Sequence, residues 1–374
     1  MTAAASGAVT LTLEEAVRLT GGRTLEDVEV AYETFGTLDP DGGNAVLVCH
    51  ALSGDAHVAT GPGTDGTPRP GWWEEIVGPG LAIDTTRYFV VCANVLGGCS
   101  GTTGPGSTRP TSGEPWGLRF PIVTVEDMVD VQARLLDALG VQRLLAVVGG
   151  SMGGMQALAW ASRYPERIDA VVAAATTARL GAQAIAFNEV GRAAILADPA
   201  FAGGDYAPDA QPAEGLAIAR MVGHITYLSQ ESMRSKFGRR LRDRDEHAFD
   251  FVSEFEVESY LAHQGRRFVE RFDANTYLYM TKAMDYFDWT PPAGPLPRFL
   301  VLSFSSDWLF PTAHSREIVR TLLARGADVT FAEIDSPYGH DAFLLEPERQ
   351  GALIGAFLDR TRAQRIASAE RSAS

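Results

Sequence analysis

Lysine is nearly missing from this chain. Of its 32 basic residues only Lys236 and Lys282 are lysines, and 47 acidic residues leave a formal net charge of −15. That balance, with no basic stripe interleaved with aromatics, argues against a nucleic-acid partner. Cysteine is scarce too. Cys49, Cys92 and Cys99 form an odd set without CxxC spacing, so neither a disulfide framework nor a structural metal site is expected, and a reducing cytoplasm fits. Long hydrophobic runs are also lacking. Nowhere do ~18 apolar residues follow one another, so no segment is expected to span a membrane. Residues 1–7 have neither a basic start nor an apolar core, which excludes a secretory signal as the reading of that segment. Both ends read as frayed, the second from about Arg362, where Ala, Ser and Arg dominate. There is no internal repeat.

What remains is an ordinary globular composition, 45% hydrophobic and 21% charged over 374 residues. That length suits one large α/β domain with an insertion, or two domains. Apolar runs at 45–50, 88–93, 144–148 and 168–174 have the length of strands buried on both faces. A helical stretch at 125–139, closed by Gly140, lies between the second and third. Two further strands are expected at 298–302 and 329–334, separated by a helix around 315–324. Alternation of this kind predicts a mostly parallel sheet with helices on both faces. Residues 177–297 break the rhythm and read as helices, with loops at 198–199, 203–204 and 208–212. The expected division is therefore a first core part at 1–176, a helical lid insertion at 177–297 and a second core part with its tail at 298–374.

The most informative stretch is Gly149-Gly150-Ser151-Met152-Gly153-Gly154. A bare Gly-x-Ser-x-Gly recurs by chance in a chain with 38 glycines, but here a predicted strand precedes it and a predicted helix follows. Strand, Gly-x-Ser-x-Gly and helix together make a nucleophile elbow, which projects a serine hydroxyl above the sheet edge. A serine needs a general base and a group to orient that base. His340 follows the strand ending at Ile334, and Asp307 follows the strand ending at Leu302, which gives the chain order Ser, Asp, His. Asp335 is the rival acid, on the histidine's own loop. Of the other histidines, His50 and His57 flank a loop and are candidates for shaping the site, His224 lies in an amphipathic segment of the insertion, and His247, His263 and His314 read as surface or packed positions. Two N–H donors should meet the developing oxyanion. Met152, directly after the serine, is one candidate, and Leu52, in the loop after the first apolar run, is the other, although an ordinary turn would look the same there.

Several blocks resemble the homoserine O-acyltransferases of methionine biosynthesis. They are Tyr32-Glu33-Thr34-Phe35-Gly36 with residues 49–57, residues 94–105, residues 149–156, and Gly339-His340-Asp341-Ala342-Phe343-Leu344. The helical insertion adds residues 186–190 and 219–227, so the likeness runs from about residue 25 to 360. It implies an α/β-hydrolase fold and a triad of Ser151, Asp307 and His340. It also implies that Arg220 holds the carboxylate of L-homoserine and Asp341 its ammonium group, with Tyr227 nearby, which suits guanidinium–carboxylate and carboxylate–ammonium pairing. No cofactor is implied beyond acetyl-CoA as co-substrate, and the family likeness implies a homodimer built through the lid helices. Members that use succinyl-CoA carry an arginine two residues after the triad aspartate; here Leu309 stands there, which favours acetyl-CoA because a second carboxylate would be buried unpaired. The insertion also resembles that of some succinyl-transferring relatives, so a succinyltransferase stays open, as does a serine hydrolase with the same triad. The basic run Lys236, Arg239, Arg240, Arg242 and Arg244 either meets CoA phosphates or forms a solvated helix face.

Overall fold

A computed structural model describes residues 8–62, 67–207 and 209–373 of the chain. The small-residue start at 1–7, Pro208 of the expected loop and Ser374 of the tail lie outside the described residues. The eight strands of the main sheet are β1 (Val9–Thr12), β2 (Glu29–Phe35), β3 (Ala45–Cys49), β4 (Phe89–Ala93), β5 (Leu144–Gly150), β6 (Ile168–Ala174), β7 (Arg298–Phe304) and β8 (Val329–Ile334). They are ordered β1-β2-β4-β3-β5-β6-β7-β8. β2 runs antiparallel to both neighbours, and every pairing from β4 to β8 is parallel. This is the mostly parallel sheet expected from the alternation, with helices packed on both faces.

All residues of β3 and β5 are buried, as continuous Val, Leu and Ala runs require when both faces are covered. The first helices, α1 (Val125–Ala138) and α2 (Met152–Arg163), cover one face. α1 starts at a capping box in which Thr124 and Asp127 satisfy each other's backbone N–H, and Gly140 (φ +76°) turns the chain beyond its end. After β6 the chain leaves the sheet through α3 (Ala182–Ala197), α4 (Ala213–Tyr227), α5 (Gln230–Lys236), α6 (Glu256–Val269) and α7 (Ala274–Tyr286), and it re-enters at β7. The late helices are α8 (Thr312–Ala324), α9 (Ala342–Leu345) and α10 (Pro347–Ala373). α10 lays Ile354, Phe357 and Leu358 against the second face of the sheet.

Three sequence expectations need correction. The tail beyond Arg362 is not frayed, because α10 continues through it to Ala373. Ala, Arg and Glu are strong helix formers, and the same composition suits a helix extending from a docked first half. The antiparallel β1 and β2 are not among the expected strands, since β2 breaks its apolar residues with Glu33 and Thr34 and lacks an apolar run. β5 and β7 also reach two residues further than the apolar runs suggest, so the sheet carries the chain to Gly150 and Phe304, the last steps before Ser151 and Asp307. Among the described residues no helix is long and apolar enough to cross a membrane.

Candidate active site

Ser151 stands at the junction of β5 and α2 with φ 57° and ψ −124°. A non-glycine residue pays a steric penalty there, of the order of 1–3 kcal/mol, and the surroundings hold it in place. Its N–H donates to Ala174 O at 3.0 Å, and its carbonyl accepts the Thr176 hydroxyl at 2.8 Å. The turn leaves no room for neighbours. A Cβ on Gly149 would stand 2.2 Å from Gly153 O, and one on Gly153 would stand 2.1 Å from Cys49 O.

The Ser151 hydroxyl lies 2.8 Å from His340 Nε2. His340 Nδ1 lies 2.8 Å from Asp307 Oδ2, and Asp307 Oδ1 accepts the N–H groups of Leu309 and Phe310 at 3.1 and 2.9 Å. The serine can therefore donate to Nε2 only if the ring proton is on Nδ1, where the carboxylate holds it. Burial disfavours charge on His340, but the charge and hydrogen bond of Asp307, helped by Asp341, outweigh it and raise the imidazole's pKa. The rings of Phe310 and Phe343 stand against the imidazole with centroids 5.0 and 5.7 Å away. Asp335, the rival acid, is elsewhere: its carboxylate accepts the Ser305 hydroxyl at 2.7 Å.

Leu52 and Ser151 line one narrow pocket together with Leu180, Phe187, Tyr227 and Leu309. None of the side chains lining that pocket carries a charge. Met152 is the first residue of α2, so its N–H is one of the donors a helix leaves without an internal partner. A buried chain of amides connects the two candidate donor segments. Trp160 Nε1 donates to Gln132 Oε1 at 2.8 Å, and Gln132 Nε2 donates to Gln156 Oε1 at 2.7 Å. Gln156 Nε2 in turn donates to His50 O at 3.1 Å and Met152 O at 3.3 Å. The indole can only donate, so it fixes the direction of every amide behind it. Sequence reasoning missed Gln132 and Gln156; the only available signal was a pair of glutamines in otherwise apolar helix faces.

Arg220, on α4, makes a long 3.5 Å contact with Ser53 Oγ. Its guanidinium lies 4.6 Å from the Phe268 ring and 5.5 Å from the Tyr227 ring. Among the described residues it has no carboxylate within ion-pairing distance, and neither has Lys or Arg any such contact with Asp341. Asp341 follows His340 directly, and its carboxyl pKa is raised by burial in spite of the opposing charges of His340 and Arg220. Tyr227 faces both groups, with its ring 6.0 Å from that of His340, and it also lines the apolar pocket. Arg220 and Asp341 do not line that pocket; they lie beside Tyr227 and His340. Arg220 and Asp341 thus stand beside His340, each without an ion-pair partner among the described residues.

His57 turns away from Ser151, with Nδ1 2.8 Å from Glu33 Oε2 and Nε2 3.0 Å from Arg69 O. Burial, then the charges of Arg220, Lys236 and Arg271, lower His224 to about 3, so it is neutral. His314 is lowered by burial, and His247 pairs with Glu254 at 2.9 Å on the surface. The basic run is largely engaged: Lys236 lies 4.7 Å from the Tyr260 ring, Arg240 pairs with Glu256 at 2.8 Å, and Arg242 donates to Ser259 Oγ at 2.8 Å.

A model of the alpha/beta hydrolase fold matches residues 44–347. The chain is 55% identical over 362 residues to a homoserine O-acetyltransferase of Rhodospirillum rubrum, covering 94% of this chain and 92% of the relative. The crystal structure of a homoserine O-acetyltransferase from Bacillus anthracis superposes with a TM-score of 0.85 at 28% identity, over 94% of this chain and 97% of that one. The crystal structure of an esterase superposes equally well, with a TM-score of 0.85 at 27% identity over 94% and 99% of the two chains.

Proposed function

Because the chain belongs to the homoserine O-acetyltransferases, within the α/β-hydrolase fold, we propose that it moves the acetyl group of acetyl-CoA to the hydroxyl of L-homoserine through an acetyl-serine. The observation that carries this is the hydrogen-bonded line Ser151–His340–Asp307 with Arg220 and Asp341 beside it, neither of them ion-paired among the described residues. His340 takes the Ser151 proton as Oγ attacks the thioester carbonyl. The oxyanion rests on the N–H groups of Leu52 and Met152, the C–S bond breaks, and His340 returns the proton to the departing CoA thiolate. In the second half-reaction His340 takes the homoserine γ-hydroxyl proton, the γ-oxygen attacks the acetyl carbonyl, and Ser151 leaves with that proton. Arg220 holds the acceptor's carboxylate and Asp341 its ammonium group, so the amino acid and not water occupies the position above the ester.

Leu309 and the uncharged lining of the Ser151 pocket favour acetyl over succinyl, whose distal carboxylate would be buried without a partner. The helices α3–α7 act as a lid over the core, the division being 1–176, 177–297 and 298–374. Exposed Val190, Leu196, Ile218 and Ile225 on α3 and α4 suit a homodimer through those helices. The enzyme works in the cytoplasm, in methionine biosynthesis, with no cofactor beyond acetyl-CoA.

The test is a rapid-quench comparison of acetyl-CoA and succinyl-CoA, each with and without homoserine. Acetylation of Ser151, its absence in Ser151→Ala, and discharge by homoserine faster than by water are expected, and Leu309→Arg should shift the donor ratio toward succinyl-CoA. Retained transfer by Ser151→Ala would overturn the nucleophile, rapid discharge without homoserine would make the protein a hydrolase, and a preference for succinyl-CoA would overturn the donor.

A further inference from the structure

His50 belongs to neither the triad nor the acceptor pair, yet it is buried next to the loop that carries Leu52. Its Nδ1 lies 2.7 Å from Ala51 O. A carbonyl only accepts, so Nδ1 holds the ring proton. Its Nε2 lies 3.2 Å from both the Val95 N–H and Asn94 Nδ2. Those two groups donate, so Nε2 is the bare nitrogen, and one neutral tautomer satisfies all three contacts. Burial, the largest influence on this ring, lowers its pKa and keeps it in that form.

The carbonyl that His50 holds and the N–H of Leu52 belong to one peptide unit. There is no cis peptide bond in the described chain, and in a trans unit the C=O and N–H point in opposite directions. Ala51 O is bound from one side by His50 Nδ1 and by the Gly54 N–H at 3.0 Å. The Leu52 N–H therefore points away from His50 and from Gly54, while Leu52 itself lines the pocket with Ser151. A flip of this peptide would break two hydrogen bonds and turn the carbonyl oxygen where the donor had been. The loop closes tightly over the ring, since a Cβ on Gly54 would stand 2.8 Å from His50 Cβ. Behind His50, Asn94 Oδ1 accepts the Ser100 N–H at 3.2 Å and Asn94 O accepts the Thr102 hydroxyl at 2.8 Å. The distinctive 94–105 block thus ends on the far nitrogen of this imidazole.

We infer that His50 is a positioning residue of the oxyanion site, setting the Ala51–Leu52 peptide plane through Nδ1 while the 94–105 block fixes the ring through Nε2. This rests on the proposed role of the Leu52 N–H. Both half-reactions pass through an oxyanion, so loss of the Nδ1 bond should slow both and leave acceptor binding alone.

The experiment compares His50→Asn, whose amide can be reached by Ala51 O in place of Nδ1, with His50→Gln, whose amide reaches only toward the Nε2 partners. Ser151 acetylation by acetyl-CoA, turnover, homoserine KM and thermal midpoint are measured for each. His50→Gln should lose roughly 100-fold in acetylation rate and in kcat, the usual effect of losing one oxyanion donor, with homoserine KM within about twofold of wild type. His50→Asn should recover most of that rate. Equal slowing in both variants, no slowing in either, or a loss confined to homoserine KM would overturn the inference. Failure of the unmodified protein to acetylate Ser151 would instead overturn the proposed function, so the two failures are distinguishable.

Discussion

At the residue scale, the properties of His340 follow from its two carboxylate neighbours. Burial alone would favour the neutral ring, but Asp307 in contact and Asp341 next in the chain raise the pKa above the usual 6.5 or so. A base must be unprotonated, so the first half-reaction should be slow at low pH and rise through a pKa above about 6.5. Removing one of the charges that favour imidazolium should move that limb to lower pH. Asp341→Asn, assayed by acetylation from acetyl-CoA alone, should show this shift, and an unmoved acid limb would remove Asp341 from the field acting on His340. The linkage to stability has the same origin. A raised folded-state pKa contributes stability that is complete below the unfolded pKa and is lost as pH rises through the folded value. Which residues meet was legible because Ser151, Asp307 and His340 each follow a strand, and strand ends share one edge of a parallel sheet. The contacts of His50, Gln132 and Gln156 were not legible. They join buried groups across 45, 28 and 106 positions of sequence and leave no spacing pattern.

At the scale of elements, the elbow is a place where three backbones approach within van der Waals reach. Gly153 is helical, so an alanine there has no backbone objection; the obstacle is Cys49 O, at 2.1 Å from the added carbon. That atom is main chain at the end of β3, fixed on both sides by parallel pairing with β4 and β5. It cannot swing aside as a side chain would. Gly153→Ala should therefore push α2 from the sheet, destabilise the fold by about 1–3 kcal/mol as overpacking does, and misplace Met152, the adjoining residue. Gly106→Ala, with nothing within 4 Å of the added carbon, is the control. Thermal unfolding of the two variants with Ser151 acetylation measured in parallel checks this; an unchanged midpoint and rate for Gly153→Ala would mean that the turn is looser than its geometry. The same scale explains which elements could be read from the chain. β3 to β7 are apolar on both faces and stand out as runs, whereas β2 mixes Glu and Thr with its apolar residues. The second half of α10 reads as frayed in sequence because it has the small and charged residues of a tail, while the first half carries the apolar anchors Ile354, Phe357 and Leu358.

At the scale of the molecule, the two groups proposed to hold the acceptor come from separate parts of the chain. Arg220 is on α4 of the inserted helices, and Asp341 follows β8 in the core. They are brought together by a seam in which both late loops grip the end of α4. Trp308 Nε1 donates to Leu228 O at 2.9 Å, Ser229 Oγ donates to Pro337 O, and a Cβ on Gly339 would stand 2.5 Å from Tyr227 O. The loops bearing Asp307 and His340 are thus tied to the helix bearing Arg220. The proposed roles imply a division of labour between the two half-reactions. Arg220 stacks on Phe268 and Tyr227 and touches no triad atom, so it should matter only when an amino acid must be held. Losing one charge-assisted hydrogen-bonded contact costs about 1.5–3 kcal/mol, which corresponds to a roughly 10- to 100-fold rise in homoserine KM for Arg220→Ala. Acetylation of Ser151 by acetyl-CoA should stay near the wild-type rate, because that step needs only the triad and the oxyanion donors. Rapid-quench acetylation and steady-state transfer measured on the same preparation separate the two steps. Equal losses in both would mean that Arg220 holds the seam together, and that the acceptor's carboxylate is recognised by another cation.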